Sequence, residues 1–225
     1  MDGHEAIQRY YGDGDYQVVS EICARVNRQA IAPFLRPHLS RAGSILDAGG
    51  GSGNLAALLN IPRSTQVDLT WERLRRPSGP KASGYRVQAD VADLPFADSS
   101  FDTVVCSNVL HYCGTAGLEE LVRVTRPGGG LLLAFLEDSD WTREFVASAV
   151  FWGMFPPLMR RLCLLPLSDL KSMKLIEEDS ATVVFVPPVY QAWRHAPRRG
   201  LVIYALRKPL SGAAPHRARK RKELA

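Results

Sequence analysis

The chain has 225 residues, 46% hydrophobic and 23% charged, enough for one well-buried core and short for two full domains. The most apolar region, 145–167, is broken by Pro156, Pro157, Arg160, Arg161 and Pro166, so no membrane span is predicted; with no signal-peptide layout in Met-Asp-Gly-His-Glu, a cytoplasmic location is expected. The net charge of +5 collects at the C-terminus, where seven basic residues from Arg207 onward face Glu223 alone, so the body is close to neutral and a nucleic-acid partner is not expected.

The first predicted element is helical. Apolar residues recur at helical spacing through residues 5 to 35, including Ile22, Val26, Ala30 and Phe34, which predicts a lid or brace over residues 1–40 ahead of the sheet. Tyr10, Tyr11 and Tyr16 fall in this lid, and two readings stand for them: substrate-side phenols at a half-wet pocket wall, or ordinary packing.

The strand Ser44–Ala48 follows, running into Asp47-Ala-Gly-Gly-Gly-Ser-Gly53 and a helix over Leu55–Leu59 that ends near Pro62. Glycines at 49, 51 and 53 permit positive φ and a close backbone approach, with a helix N-terminus beyond. A dinucleotide site is disfavoured on two counts. Asn54 stands where that fingerprint needs Gly or Ala, and the Asp47 carboxylate would meet a pyrophosphate. The same carboxylate suits a cationic methionyl ammonium. The second strand, Thr65–Leu69, brings Asp68 to its end, 19 residues after Gly49, where a carboxylate can accept both ribose hydroxyls. A cationic amino acid joined to a ribose is S-adenosylmethionine.

Pro77 to Gly84 reads as a loop that leaves little room for a long helix after the second strand. The third and fourth strands are expected at Tyr85–Ala89 and Thr103–Ser107, a helix at Leu118–Val124 stopped by Pro127-Gly-Gly-Gly130, and a fifth strand at Leu131–Phe135. His111 lies just past the fourth strand, at the edge where open α/β sheets place their sites. It is the candidate general base, against a packing or pocket-lining role.

Between the fifth strand and the end of the sheet, a helical insertion over about residues 137–178 carries Phe145, Phe151, Trp152, Met154 and Phe155. Its composition suits a cap over an apolar or aromatic acceptor, with Trp152 on the substrate side; a homodimer surface, ordinary core and membrane-surface contact are the alternatives. Ala181–Val186 and Leu201–Leu206 have the composition of two closing strands. The domain thus spans 1–210, and 211–225 is a basic tail, read either as a solvated terminus or as a weak peripheral contact for an anionic membrane. Cys23, Cys106, Cys113 and Cys163 show no paired spacing, so reduced thiols and no metal site are expected.

The motifs at 45–59, Val67-Asp-Leu-Thr70, Asp90-Val-Ala-Asp-Leu-Pro-Phe96, Phe101 to His111 and Leu121 to Gly130 together resemble those of class I S-adenosylmethionine-dependent methyltransferases, in the ubiquinone/menaquinone-biosynthesis-like branch acting on small molecules. The resemblance covers roughly residues 40 to 136. It implies a Rossmann-like α/β fold: seven mostly parallel strands, helices on both faces, the last strand antiparallel. It further implies Asp47, Gly49, Gly51 and Gly53 along the methionyl end, Asp68 with Leu69 at the ribose, Asp90 at the adenine amino group and Val91 against the ring. Ser107 and Asn108 mark the exit of the fourth strand, with a carbonyl there for the ammonium. Trp71-Glu-Arg-Leu-Arg-Arg-Pro77 departs from the longer helix usual after the ribose-binding strand. The function expected is methyl transfer to a small acceptor. A nucleic-acid or protein acceptor held by the tail, and a catalytically silent cofactor-binding subunit, are the alternatives.

Overall fold

Period-two alternation along the central strands sends apolar side chains to both faces of one sheet, so both faces need helices to cover them. The computed structural model describes residues 3–12, 29, 31–39, 43–61, 63–76, 84–136, 191–198 and 201–210. In chain order these form α1 (Gly3–Gly12), a helical stretch at 31–35 leading into the 3-10 turn Arg36–His38, β1 (Ile45–Ala48), α2 (Asn54–Leu59), β2 (Ser64–Asp68) and α3 (Trp71–Leu74). They continue with β3 (Gly84–Gln88), β4 (Phe101–Ser107), α4 (Leu110–Val124), β5 (Thr125–Leu136), β6 (Gln191–Arg198) and β7 (Leu201–Arg207).

The strand order is β3-β2-β1-β4-β5-β7-β6. β1 pairs parallel with β2 and β4, β2 with β3, and β4 with β5, whereas β7 runs antiparallel between β5 and β6. The sheet is Rossmann-like, mostly parallel, with its last strand reversed. Chain direction changes sides between β1 and β4, the switch point where a ligand crevice opens at the strands' C-terminal ends.

Two cores follow from the alternation. Leu46, Val104, Cys106, Leu131, Leu133, Phe135, Tyr204 and Leu206 pack on one face beneath Leu110, Leu118, Leu121 and Val124 of α4. Ile45, Val105, Leu132, Ala134, Ile203 and Ala205 face the other way, against Leu55, Ala56 and Leu59 of α2 and Ile31 and Leu35. A fully buried side chain of this size contributes roughly 2 kcal/mol, so the alternation fixes strand register as well as strand identity.

Two expectations are corrected, and one strand was not foreseen. Gln191–Arg198 forms β6, and the strand expected at Ala181–Val186 lies outside the described residues. α4 starts at Leu110 rather than Leu118, with Gly114 at φ 57, ψ −147 kinking it. β5 begins at Thr125, and the pairing of β4 with β5 shifts register between Phe101 and Thr103, so 126–129 bulge from the sheet. The glycines expected to stop the helix shape that bulge, Gly128 at φ 75. α3 has only four residues, in keeping with the short connection expected there. The insertion at 137–178, the loop at 77–83 and the tail at 211–225 lie outside the described residues.

Candidate cofactor site

The turn after β1 is built by its glycines in three different ways. Gly49, Gly51 and Gly53 all have positive φ, 72°, 56° and 78°, where a Cβ is strained. Gly49 and Gly50 donate their N–H groups to Val67 O at 2.7 and 3.0 Å, tying the turn to the end of β2. A Cβ on Gly49 would collide with the side chain of Val109, one on Gly53 with the Gln66 amide, and one on Gly51 would stand 2.9 Å from Arg73 Nε. Of the three, only Gly49 lines the cavity that opens beside the turn.

Gly51 acts through its backbone. Its N–H donates to Asp68 Oδ2 at 3.0 Å, while Thr70 N–H donates to Oδ1 at 2.9 Å. The two bonds fix the carboxylate at the end of β2, facing the cavity. Burial raises the pKa of Asp68 above the ordinary carboxylate value, against the opposing pull of the Thr70 N–H, the Arg73 charge and the Gly51 N–H.

The cavity brings together Gly49, Asp68, Leu69, Asp90, Val91, Ser107 and Asn108, all expected to meet the cofactor. Asp47, Gly51 and Gly53 are not among its lining residues. Asp47 is buried, and a Cβ on Gly50 would lie 2.9 Å from its carboxyl carbon, so it supports the turn from beneath. At the far end, Asp90 Oδ1 accepts the Ala92 N–H at 2.9 Å and shapes the turn that presents Val91.

The N-terminal helix supplies the opposite wall through His4, Ile7 and Tyr11. Tyr11 OH is 2.6 Å from Tyr112 OH, their rings meet edge to face, and the Arg73 guanidinium stacks 5.2 Å from the Tyr11 ring centroid. Tyr10 belongs to α1; Tyr16 and Trp152 fall outside the described residues. Thr70, Arg73, Val109, Tyr112 and Cys113 also line the cavity, and the sequence reading assigned none of them a role. The kink at Gly114 ends the turn that carries Tyr112 and Cys113, a local signal visible only as an isolated glycine. Cys113 is a free thiol that burial, aided by the Asp90 charge, pushes up to about 12.

His111 is placed differently from the expectation. It does not line the cavity, its Nδ1 is buried without a hydrogen-bond partner, and burial depresses its pKa to about 3. The imidazole is therefore neutral at physiological pH and a weak proton acceptor.

Asn108 tests the fit of the site to S-adenosylmethionine. It sits at φ 57, its N–H donates to Ala134 O at 2.7 Å, and its side-chain Oδ1 is buried with no hydrogen-bond partner. A buried acceptor of this kind costs roughly 1–3 kcal/mol until a donor meets it. A methionyl ammonium is such a donor. With the Asp68 carboxylate further along the same cavity, the residues fit an amino-acid end and a ribose.

The methyltransferase domain family model matches residues 46–133, a span that runs from within β1 into β5 and contains every expected cofactor residue. Over this span the chain is similar to methyltransferase domains. Its relatives include a malonyl-[acyl-carrier protein] O-methyltransferase of Pseudescherichia vulneris, 34% identical over 100 residues, which are 43% of this chain and 40% of that protein. Another is an uncharacterized methyltransferase of Mycobacterium sp. (strain JLS), 37% identical over 106 residues, 45% of this chain and 41% of the relative. The chain thus spans less than half the length of these relatives. The fold matches a geranyl diphosphate C-methyltransferase from Streptomyces coelicolor A3(2), solved with S-adenosylhomocysteine, at TM-score 0.60 and 14% identity, over 92% of this chain and 98% of that one. It also matches the PH0226 protein of Pyrococcus horikoshii OT3 at TM-score 0.61 and 15% identity, over 82% and 91% of the two chains.

Proposed function

We propose that the protein transfers the methyl group of S-adenosylmethionine to a small acceptor, apolar or aromatic in character, by in-line displacement. The observation that carries this reading is the pairing of a buried, unpartnered Asn108 Oδ1 with a backbone-fixed Asp68 carboxylate in one cavity at the switch point. Asn108 with Ser107 and Gly49 would hold the methionyl end, Asp68 with Leu69 the ribose, and Asp90 with Val91 the adenine. Asp47, Gly51 and Gly53 serve the site by holding the turn.

When bound, the cofactor supplies an electrophilic methyl on a sulfonium and leaves as a neutral thioether. The protein's contribution is then alignment and exclusion of water. Ile7, Val91 and Val109 form the apolar wall that excludes water, and the Tyr11 and Tyr112 hydroxyls present a polar edge on the acceptor side. His111, neutral and off the cavity wall, takes a structural role in this scheme rather than that of a base. Residues 137–178, with Trp152, would cap the acceptor or form a dimer surface, and the basic tail would add a weak contact with anionic membrane. The O-methylation named for one relative makes oxygen the first attacking atom to test.

Incubation of the protein with methyl-labelled cofactor and fractionated cell extract tests the assignment. A labelled small molecule is the expected product. Label confined to protein or nucleic acid would overturn the acceptor class, and no labelled product in any fraction would overturn the enzymatic reading.

A further inference from the structure

One contact in the cavity wall has no part in that scheme. His4 Nε2 lies 3.0 Å from Asp90 Oδ2. His4, Ile7 and Tyr11 occupy positions i, i+3 and i+7 of α1, so one helix face turns to the cavity. The helix is tied down along its length: His4 to Asp90, Gln8 Nε2 to Leu69 O at 3.4 Å, and Tyr11 OH to Tyr112 OH at 2.6 Å. With α1 in this position the cavity measures about 140 Å³, small against the ~300–1,000 Å³ of ligand pockets. A ligand that reaches for Asp90 therefore meets the His4 side chain already in contact with it.

The two oxygens of Asp90 show where they meet. Oδ1 is committed to the Ala92 N–H and the turn that presents Val91, which leaves Oδ2 as the oxygen on offer, and His4 holds it. We propose that His4 is an internal competitor for the cofactor's adenine: the exocyclic amino group takes over Asp90 Oδ2, and the first turn of α1 is released while its Tyr11 end stays latched. The inference rests on the reading of Asp90 as the adenine contact. Its consequence is regulatory. Whatever stabilises the His4 to Asp90 contact is subtracted from cofactor affinity, and whatever draws the N-terminus of α1 away raises it.

The His4 side chain is 56% exposed and Asp90 23%, so the contact is weak and the competition modest. In the full chain, His4→Ala should bind S-adenosylhomocysteine about two- to fivefold more tightly than wild type by calorimetry. A histidine that merely walls the pocket would have the opposite sign, since its removal loses contacts. In wild-type protein, the His4 imidazole resonance, identified by its loss in His4→Ala, should move towards the position of a solvent-exposed histidine as S-adenosylhomocysteine saturates the site. Equal or weaker binding by His4→Ala, or an unmoved His4 resonance at saturation, would overturn the competitor role and leave the proposed function standing. No binding by either protein would overturn both.

Discussion

Where β4 begins, Asp102 accepts hydrogen bonds from Ser44 N–H at 2.8 Å and Ser44 Oγ at 3.0 Å and pairs with Arg126, and Lys208 Nζ donates to Val122 O and Thr125 O at 2.7 Å each. Beside them Arg123 grips Glu120, Asp98 and the carbonyls of Phe96 and Leu94. Where β4 ends, Asn108 Oδ1 and His111 Nδ1 are buried without partners, and Asp90 is shared between its own turn and a helix 86 residues earlier in the chain. The first end of β4 commits these charged side chains to holding the scaffold; at the other, Asn108 and Asp90 line the cavity and are open to a ligand. The difference follows from the topology, because the crevice at the switch point exists only at the C-terminal end of parallel strands.

Substitutions at the two ends should differ in kind. The largest effect is expected for Gly49→Ala, which puts a Cβ at φ 72 into the side chain of Val109; a loss of about 2–4 kcal/mol in chemical unfolding is expected. A loss below half a kilocalorie would show that the turn relaxes freely.

His111→Leu comes next and is read through pH. The folded pKa of about 3 lies below the ordinary 6.5, so between those values the unfolded chain binds a proton that the folded one does not, and stability falls as pH falls from 6.5 towards 3. Wild type should lose up to about 3 kcal/mol more than His111→Leu between pH 7 and pH 4. Parallel curves would contradict the buried, neutral assignment.

Arg123→Ala should act at the scaffold end, costing about 1 kcal/mol of stability, since its side chain is 30% exposed. It should also loosen the 94–98 loop that follows Asp90 and Val91, weakening S-adenosylhomocysteine binding slightly; unchanged stability would reduce its five bonds to surface decoration. Deletion of residues 211–225 should have the smallest effect, leaving S-adenosylhomocysteine affinity unchanged. A tenfold loss would tie the basic tail to the cofactor site.

The legibility of the chain divides along similar lines. β1, β2 and β3 sit within a residue of their expected positions, because short stretches with β-favouring residues (Ile45, Thr65 and Val67, Tyr85 and Val87) beside glycines or loops are local signals. β6 was missed because Gln191–Arg198 is an edge strand: it carries Pro197 and three charged or titratable side chains, Arg194, His195 and Arg198, a composition that edges tolerate and central strands do not. The first half of α4 was hidden by Gly114 and Gly117, poor helix formers, of which Gly114 kinks the helix. In the site, Asp68 and Asn108 were legible since motif spacing delivers them to strand ends. His4, Arg73 and Tyr112 were not, because they reach the cavity through packing of α1, α3 and the α4 kink, which no local pattern encodes. The roles of Gly51 and Gly53 illustrate the same limit: their spacing marked a ligand turn, but the partners that require them are Asp68, Arg73 and Gln66.

The central proposal is that this cavity would hold S-adenosylmethionine with Asp68 on the ribose. Calorimetric titration of wild type and Asp68→Ala with S-adenosylhomocysteine tests it most directly. Wild type should bind with one site per chain, and Asp68→Ala should bind at least about tenfold more weakly, as expected for loss of a charge-assisted hydrogen bond. Wild-type affinity should also fall on acidification at a pH above the ordinary carboxylate value of 3.8, as the Asp68 carboxylate takes up its proton. No heat with wild type, or equal affinity in the two proteins, would contradict the account.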